Sequence, residues 1–237
     1  MVAEELAIKG ISSIRFDKRG VGDNAGLITS EEEVTFESFV EDVKQLVKYA
    51  KEDERFSSVH IIGHSEGALI GMLATQAGNV DSYISIAGAG RPIDELLLEQ
   101  LQGSLSDDLL AESERILATL KEGEIVTDVP TELTAIFRSS VQPYMISLLK
   151  YHPVQVISEL DVPILVVQGS ADIQASEIDA QALKAGNEQA QLVMIKGMNH
   201  VLKIAPANRE TNIATYNESE RPLADTLIDT LVQFILQ

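Results

Sequence analysis

Five residues, Gly63-His64-Ser65-Glu66-Gly67, restrict the fold of this 237-residue chain more than any other feature. A β-branched apolar run at 58–62 (SVHII) leads into them, and a small-residue helical run from Gly67 to Ala77 leads out. A strand that reverses into a helix within so few residues forces the central residue into a sparsely populated backbone conformation. Small residues must then sit two positions either side of it. Glycine at 63 and 67 meets that need. The turn sets Ser65 at the carboxyl end of a strand, facing the free N–H groups and positive end of a helix.

The same rhythm recurs along the chain. Residues 2–9 have helical spacing with Gly10 as a stop, 11–17 (ISSIRFD) read as a short strand, and a glycine-rich loop follows at Lys18–Asp23. Over 35–52, Phe36, Phe39, Val40, Val43, Leu46, Val47 and Ala50 form one apolar stripe, which predicts an amphipathic helix. Strands are expected at 82–87, 162–168 and 191–196, and a closing amphipathic helix at 221–236. Strands alternating with helices imply an α/β fold with a mostly parallel sheet and helices on both faces. One segment departs from the alternation: 91–160 hold helical runs (IDELLLEQL, ESERILATLKE) broken at Gly103, Gly123 and Pro130, with no convincing strand. An insertion of roughly 70 residues in such a fold reads as a helical cap. The expected organisation is a core of 1–90 and 161–237 with a cap at 91–160.

Composition narrows the function. Eighteen basic and 37 acidic residues give a net charge of −19, which disfavours nucleic acid and anionic membranes as partners. With no cysteine, thiolate catalysis and disulfides are excluded. No apolar run approaches the ~20 residues of a membrane helix, and the acidic start, Met1-Val2-Ala3-Glu4-Glu5, is unlike a signal peptide. A cytoplasmic location is the expectation. No metal or organic cofactor is implied, because no HExxH, Cys/His cluster or P-loop is present.

A serine hydroxyl becomes a competent nucleophile only beside a base. Of four histidines, His60 lies inside the strand before the turn, His64 is too close in sequence to turn onto its neighbour's hydroxyl, and His152 falls in the inserted segment. His200 follows the strand at 191–196, at the working end of such a sheet, and is the expected base. The acid that orients it should follow another strand, between serine and histidine in chain order. Asp172, after the strand at 162–168, satisfies this, with Glu177 as a fallback. An aspartate there could instead cap a helix near 176–186. The backbone N–H of Glu66 is the expected oxyanion donor.

These residues resemble the α/β-hydrolase superfamily, in particular a bacterial branch of capped serine esterases and aminopeptidase-like hydrolases. The resemblance rests on GHSEG at 63–67, DKRGVGDNAG at 17–26, GSAD ending at Asp172 and GMNH ending at His200, with Asn24 where the family usually has serine. It implies that Asp17 and Arg19 support the floor of the site. It also implies strands ahead of residue 1, carrying a second oxyanion donor, and a strand lying between 11–17 and 58–62. The expected activity is hydrolysis of a carboxylic ester of a small acyl substrate through an acyl-enzyme on Ser65, with Leu96–Leu98, Leu109, Leu110, Ile116, Leu117, Phe137, Tyr144, Met145, Leu148 and Leu149 available for an apolar pocket or for packing the cap. A peptidase or thioesterase would use the same triad. A weakly catalytic binding module is the alternative if the second oxyanion donor is lacking. Nothing in the motifs excludes a homo-oligomer.

Overall fold

The computed structural model describes residues 1–102 and 104–237. The expected break at Gly103 lies outside the described residues. In chain order the elements are α1 (Val2–Ile8), α2 (Phe36–Lys51), β1 (His60–His64), α3 (Glu66–Gln76), β2 (Ser82–Ile86), α4 (Ile93–Leu101), α5 (Asp107–Lys121), α6 (Thr134–Phe137), α7 (Gln142–Leu148), α8 (Pro153–Ser158), β3 (Ile164–Gly169), α9 (Glu177–Gly186), β4 (Gln191–Ile195), α10 (Arg209–Ala214) and α11 (Leu227–Ile235).

The four strands pair in the order β1-β2-β3-β4, all parallel. Their side chains sort by the two-residue period of a strand. Tyr83 of β2 and Ile164 and Val166 of β3 face one apolar layer made with α2, α3, α8 and α9. Ile84, Ile86, Leu165 and Val167 face the other, made with α1 and α11. Every residue of β2 and β3 is buried, and β3 accordingly reads as a nearly continuous apolar run. The helices are set by local signals. Glu37 lies in the first turn of α2 and Lys48 and Lys51 in its last, matching the helix dipole. Ser176 and Asp179 form a reciprocal capping box at the start of α9.

Two expected elements differ. Residues 11–17 form no ladder, and 12–17 are exposed. The sheet ends at β1, and an alternating pattern becomes a strand only against a partner that takes up its hydrogen bonds. The closing helix begins at Leu227 rather than at 221. Pro222 has no N–H to give, and the Ala224 N–H is bound to the Leu202 carbonyl at 2.8 Å, drawing this stretch onto the loop after β4.

Between β2 and β3 the chain runs through α4–α8, with no strand among the described residues. This stretch has its own apolar cluster of Ile116, Leu117, Leu120, Val126, Leu133, Phe137 and Leu149, so several of the side chains eligible for an acyl pocket pack the insertion itself. Asp179 anchors the insertion's entry to α9. Its carboxylate accepts from the backbone N–H groups of Gly90 and Arg91, both at 3.2 Å, and from the Arg91 guanidinium at 3.0 and 2.9 Å. Burial alone would raise the Asp179 carboxyl, but the guanidinium and surrounding N–H groups outweigh it and hold it below its usual value. Among the described residues no helix is long and apolar enough to cross a membrane.

Candidate active site

Ser65 lies between the end of β1 and the start of α3 with φ 55° and ψ −124°. This positive φ is rare for a side-chain-bearing residue and pushes the hydroxyl out of the turn. The backbone is pinned there by Ser65 N–H to Ile86 O at 3.0 Å and Ala68 N–H to Ser65 O at 2.9 Å. A Cβ on Gly63 would sit 2.3 Å from the Gly67 carbonyl oxygen, so glycine is obligatory at 63. A Cβ on Gly67 would meet open space, so the expected constraint holds on one side of the serine only. The Glu66 N–H is in the first turn of α3, where helical amides have no carbonyl four residues back.

Asp172 follows β3 and His200 follows β4, so both reach the carboxyl edge of the sheet where Ser65 stands. The His200 Nε2 is 2.9 Å from Ser65 Oγ, and its Nδ1 is 2.9 and 3.1 Å from the two Asp172 oxygens. A carboxylate only accepts, so Nδ1 carries the ring hydrogen and Nε2 is left to accept from the serine. The Asp172 side chain is fully buried. Its carboxylate also accepts from Gln174 N–H at 2.8 Å, Ala175 N–H at 3.1 Å and the Gln168 side-chain amide at 3.2 Å. The helix-cap alternative for Asp172 falls away, because Ser176 caps α9. Glu177 is exposed.

The remaining histidines fall elsewhere. His60 is held by Ser82 and Ser58 at 2.7 and 2.8 Å, and His152 precedes α8. His64 donates from Nε2 to the His200 carbonyl at 2.8 Å, and its ring lies 4.9 Å from the His200 ring. Burial holds His64 below the ordinary histidine value and outweighs the upward pull of its hydrogen bond to the His200 carbonyl.

The loop at 17–26 is closed by its own hydrogen bonds and reaches the residue after Ser65 through Lys18. Asp17 accepts the Asp23 N–H at 3.0 Å and Asn24 binds the Asp17 carbonyl at 2.5 Å. Arg19 pairs with Asp42 of α2, with Nε at 2.8 Å. Lys18 and Tyr144 of α7 both hydrogen-bond the Glu66 carboxylate. Tyr144 packs edge-on to Phe36 and Phe39, and its hydroxyl is pushed up by burial and by the Glu66 carboxylate.

Sequence reasoning missed Gln168, the buried pair Asn199 and Asn212, and Thr215. Gln168 had a signal, a lone amide closing the apolar run of β3. Asn212 and Thr215 had none, since the polar stretch 205–220 has no periodicity.

Among solved structures, the chain superimposes on ferulic acid-bound Est1E from Butyrivibrio proteoclasticus with a TM-score of 0.65 at 19% identity, covering 100% of this chain and 82% of that one. A hydrolase from Oleispira antarctica matches with a TM-score of 0.58 at 17% identity, over 100% of this chain and 85% of that one. The fold is therefore that of the α/β-hydrolases. The model of the family described as serine aminopeptidase, S33, matches residues 1–133, and the chain belongs to that family. A curated relative, esterase EstD of Thermotoga maritima, is 29% identical over 209 residues, which are 85% of this chain and 48% of the relative. The chain thus spans about half the length of the curated relative it matches.

Proposed function

We propose that this chain is a serine hydrolase that cleaves a carboxylic ester through an acyl-enzyme on Ser65. The observation that carries this reading is the line of hydrogen bonds from Ser65 Oγ to His200 Nε2 at 2.9 Å and from His200 Nδ1 to Asp172 at 2.9 Å. His200 takes the hydroxyl proton as Ser65 attacks the acyl carbon. Asp172 keeps the ring in the tautomer that can accept and stabilises the imidazolium that forms. The Glu66 N–H faces the developing oxyanion. His200 then passes its proton to the leaving alcohol. Water, deprotonated by the same nitrogen, releases the acid and regenerates Ser65.

An ester as substrate is favoured by the relative named esterase EstD. The family's description as serine aminopeptidases supports a second reading, in which the leaving group is an amine. Residues 91–160 act as the cap in this proposal. They touch the site's rim through Tyr144 on Glu66 and through the Gln100 side-chain amide on the Gln174 carbonyl at 3.0 Å.

The test is intact-mass labelling with a fluorophosphonate. The wild type should gain one adduct and Ser65→Ala none, with turnover of a short-chain ester falling about four orders of magnitude or more in the variant. A folded wild type that takes up no label would sink the proposal and leave a binding module. A panel of ester, thioester and aminoacyl amide substrates then separates the esterase from the peptidase.

A further inference from the structure

Asp172 and His200 sit on two different loops, after β3 and after β4, and a 2.9 Å contact between them demands that the loops keep a fixed spacing. The loops touch directly, with the Ala171 N–H bonded to the Met198 carbonyl at 3.0 Å, and we infer that Asn212 of α10 completes this tie, as a positioning residue for the acid–base half of the site. The inference rests on the Ser65–His200–Asp172 reading above.

The side chain of Asn212 spans the two loops. Its Nδ2 donates to the carbonyl of Ala171, the residue before Asp172, at 2.8 Å, and to Pro206 O at 3.3 Å. Its Oδ1 accepts from the side-chain amide of Asn199, the residue before His200, at 3.1 Å. Asn199 Nδ2 also donates to Thr215 Oγ1 at 2.8 Å, and Thr215 returns its hydroxyl proton to the Asn212 carbonyl at 2.7 Å. Asn199 Oδ1 accepts the Lys203 N–H at 3.1 Å. Asn199, Asn212 and Thr215 are 0%, 1% and 2% exposed.

The network has a single polarity. Two backbone carbonyls can only accept, so the Asn212 NH2 must face them and its oxygen must face Asn199. Asn199 must then present its NH2, which leaves its oxygen for Lys203. Every N–H of both amides has a partner, as buried polar groups require. A satisfied, one-way network in a low-dielectric interior resists distortion, and breaking one member leaves several groups unpaired. Both of its ends are one residue from a group the chemistry uses.

Asn212→Asp keeps the shape but replaces two donors with acceptors facing two carbonyls. The experiment follows the His200 Nδ1–H proton by NMR in protein carrying 15N-labelled histidine, with the resonance assigned by its loss in His200→Gln. It also measures kcat and KM on a short-chain ester. In Asn212→Asp the resonance should shift or broaden away, and kcat should fall about 10- to 100-fold while KM stays within about threefold. Should Asn212→Asp not fold, Thr215→Val removes one hydroxyl from the network and should move the same readouts in the same direction, with Thr215→Ser restoring them. A variant that melts earlier but keeps the resonance and kcat of the wild type would overturn the inference, because the network would then hold only α10. The resonance needs no turnover. A wild type inert to fluorophosphonate would fail the proposed function, while an unmoved resonance in Asn212→Asp would fail this one.

Discussion

The two flanks of the sheet are built differently. On the β3–β4 flank, the loops that carry Asp172 and His200 are tied to each other, to α10 and to the strand below. A Cβ on Gly169 would meet the Met198 carbonyl oxygen at 2.0 Å, so the two loops are in backbone contact. On the β1 flank, residues 11–28 pass the sheet without joining it, and Ile14, Phe16, Val21 and Leu27 are exposed at 48%, 43%, 57% and 68%. That stretch packs on the core only at its ends, through Ile11 and Ile28, and between them is held by a few polar ties, Lys18 to Glu66 and Arg19 to Asp42. The difference teaches where precision is stored. Asp172 and His200 are placed by buried, mutually satisfied hydrogen bonds, and Ser65 by the strain of its own turn. The surrounding loop adds charge pairs that are partly open to solvent and correspondingly weak.

Three measurements press on this contrast. The largest effect is expected in β3. Leu165 is 1% exposed and packs with Ile84, Ile86 and Leu227, so Leu165→Ala should lower the unfolding free energy by about 2 to 5 kcal/mol in denaturant titration. A loss below about 1 kcal/mol would mean that the β3 flank is not the stable half.

The second measurement concerns His64, the tie between β1 and the His200 loop. Its folded pKa is held below the ordinary value of 6.5, so the unfolded chain binds the proton more readily. The stability linked to the neutral ring is therefore fully present above the ordinary value. It is lost as pH falls from there through the depressed folded value. His64→Gln keeps an N–H for the His200 carbonyl but does not titrate. Between about pH 8 and about pH 5 its melting temperature should fall less than that of the wild type. Parallel curves would show that the tie across the flanks does not depend on a neutral His64.

The contrast also explains what could be read without a structure. The turn at Ser65 was legible because its causes are local: an apolar strand, a glycine that no other residue can replace, and a small-residue helix. His200 was singled out by elimination among four histidines and Asp172 by its place after a strand, and the two side chains meet beside Ser65. The segment 11–17 misled because Ser13 to Asp17 alternate as a strand does, while alternation records side chains and says nothing of a backbone partner. Asn212 stayed hidden for the opposite reason. Its role comes from carbonyls 41 and 6 positions away, and a polar side chain that satisfies distant backbone leaves no periodic trace. Apolar patterns carry layers well, and polar networks carry sites that patterns do not show.

The smallest effect should come from Phe16. In a strand within a sheet an aromatic side chain would lose several kcal/mol of packing on truncation. Here Phe16 is 43% exposed and its neighbours in 12–17 are exposed too, so Phe16→Ser should change stability by no more than about 0.5 kcal/mol. Hydrogen exchange on the same sample supplies the backbone side of the argument. Amides in 12–17 have no ladder and should exchange at rates close to those of an open chain, whereas those of β3, bonded to β2 and β4 on both sides, should exchange only on global opening. Slow exchange in 12–17 together with a loss from Phe16→Ser comparable to that of Leu165→Ala would erase the contrast, because the segment would then be paired and packed in solution. A small loss with slow exchange would locate protection in the backbone alone, and the ties of Lys18 and Arg19 would be its source.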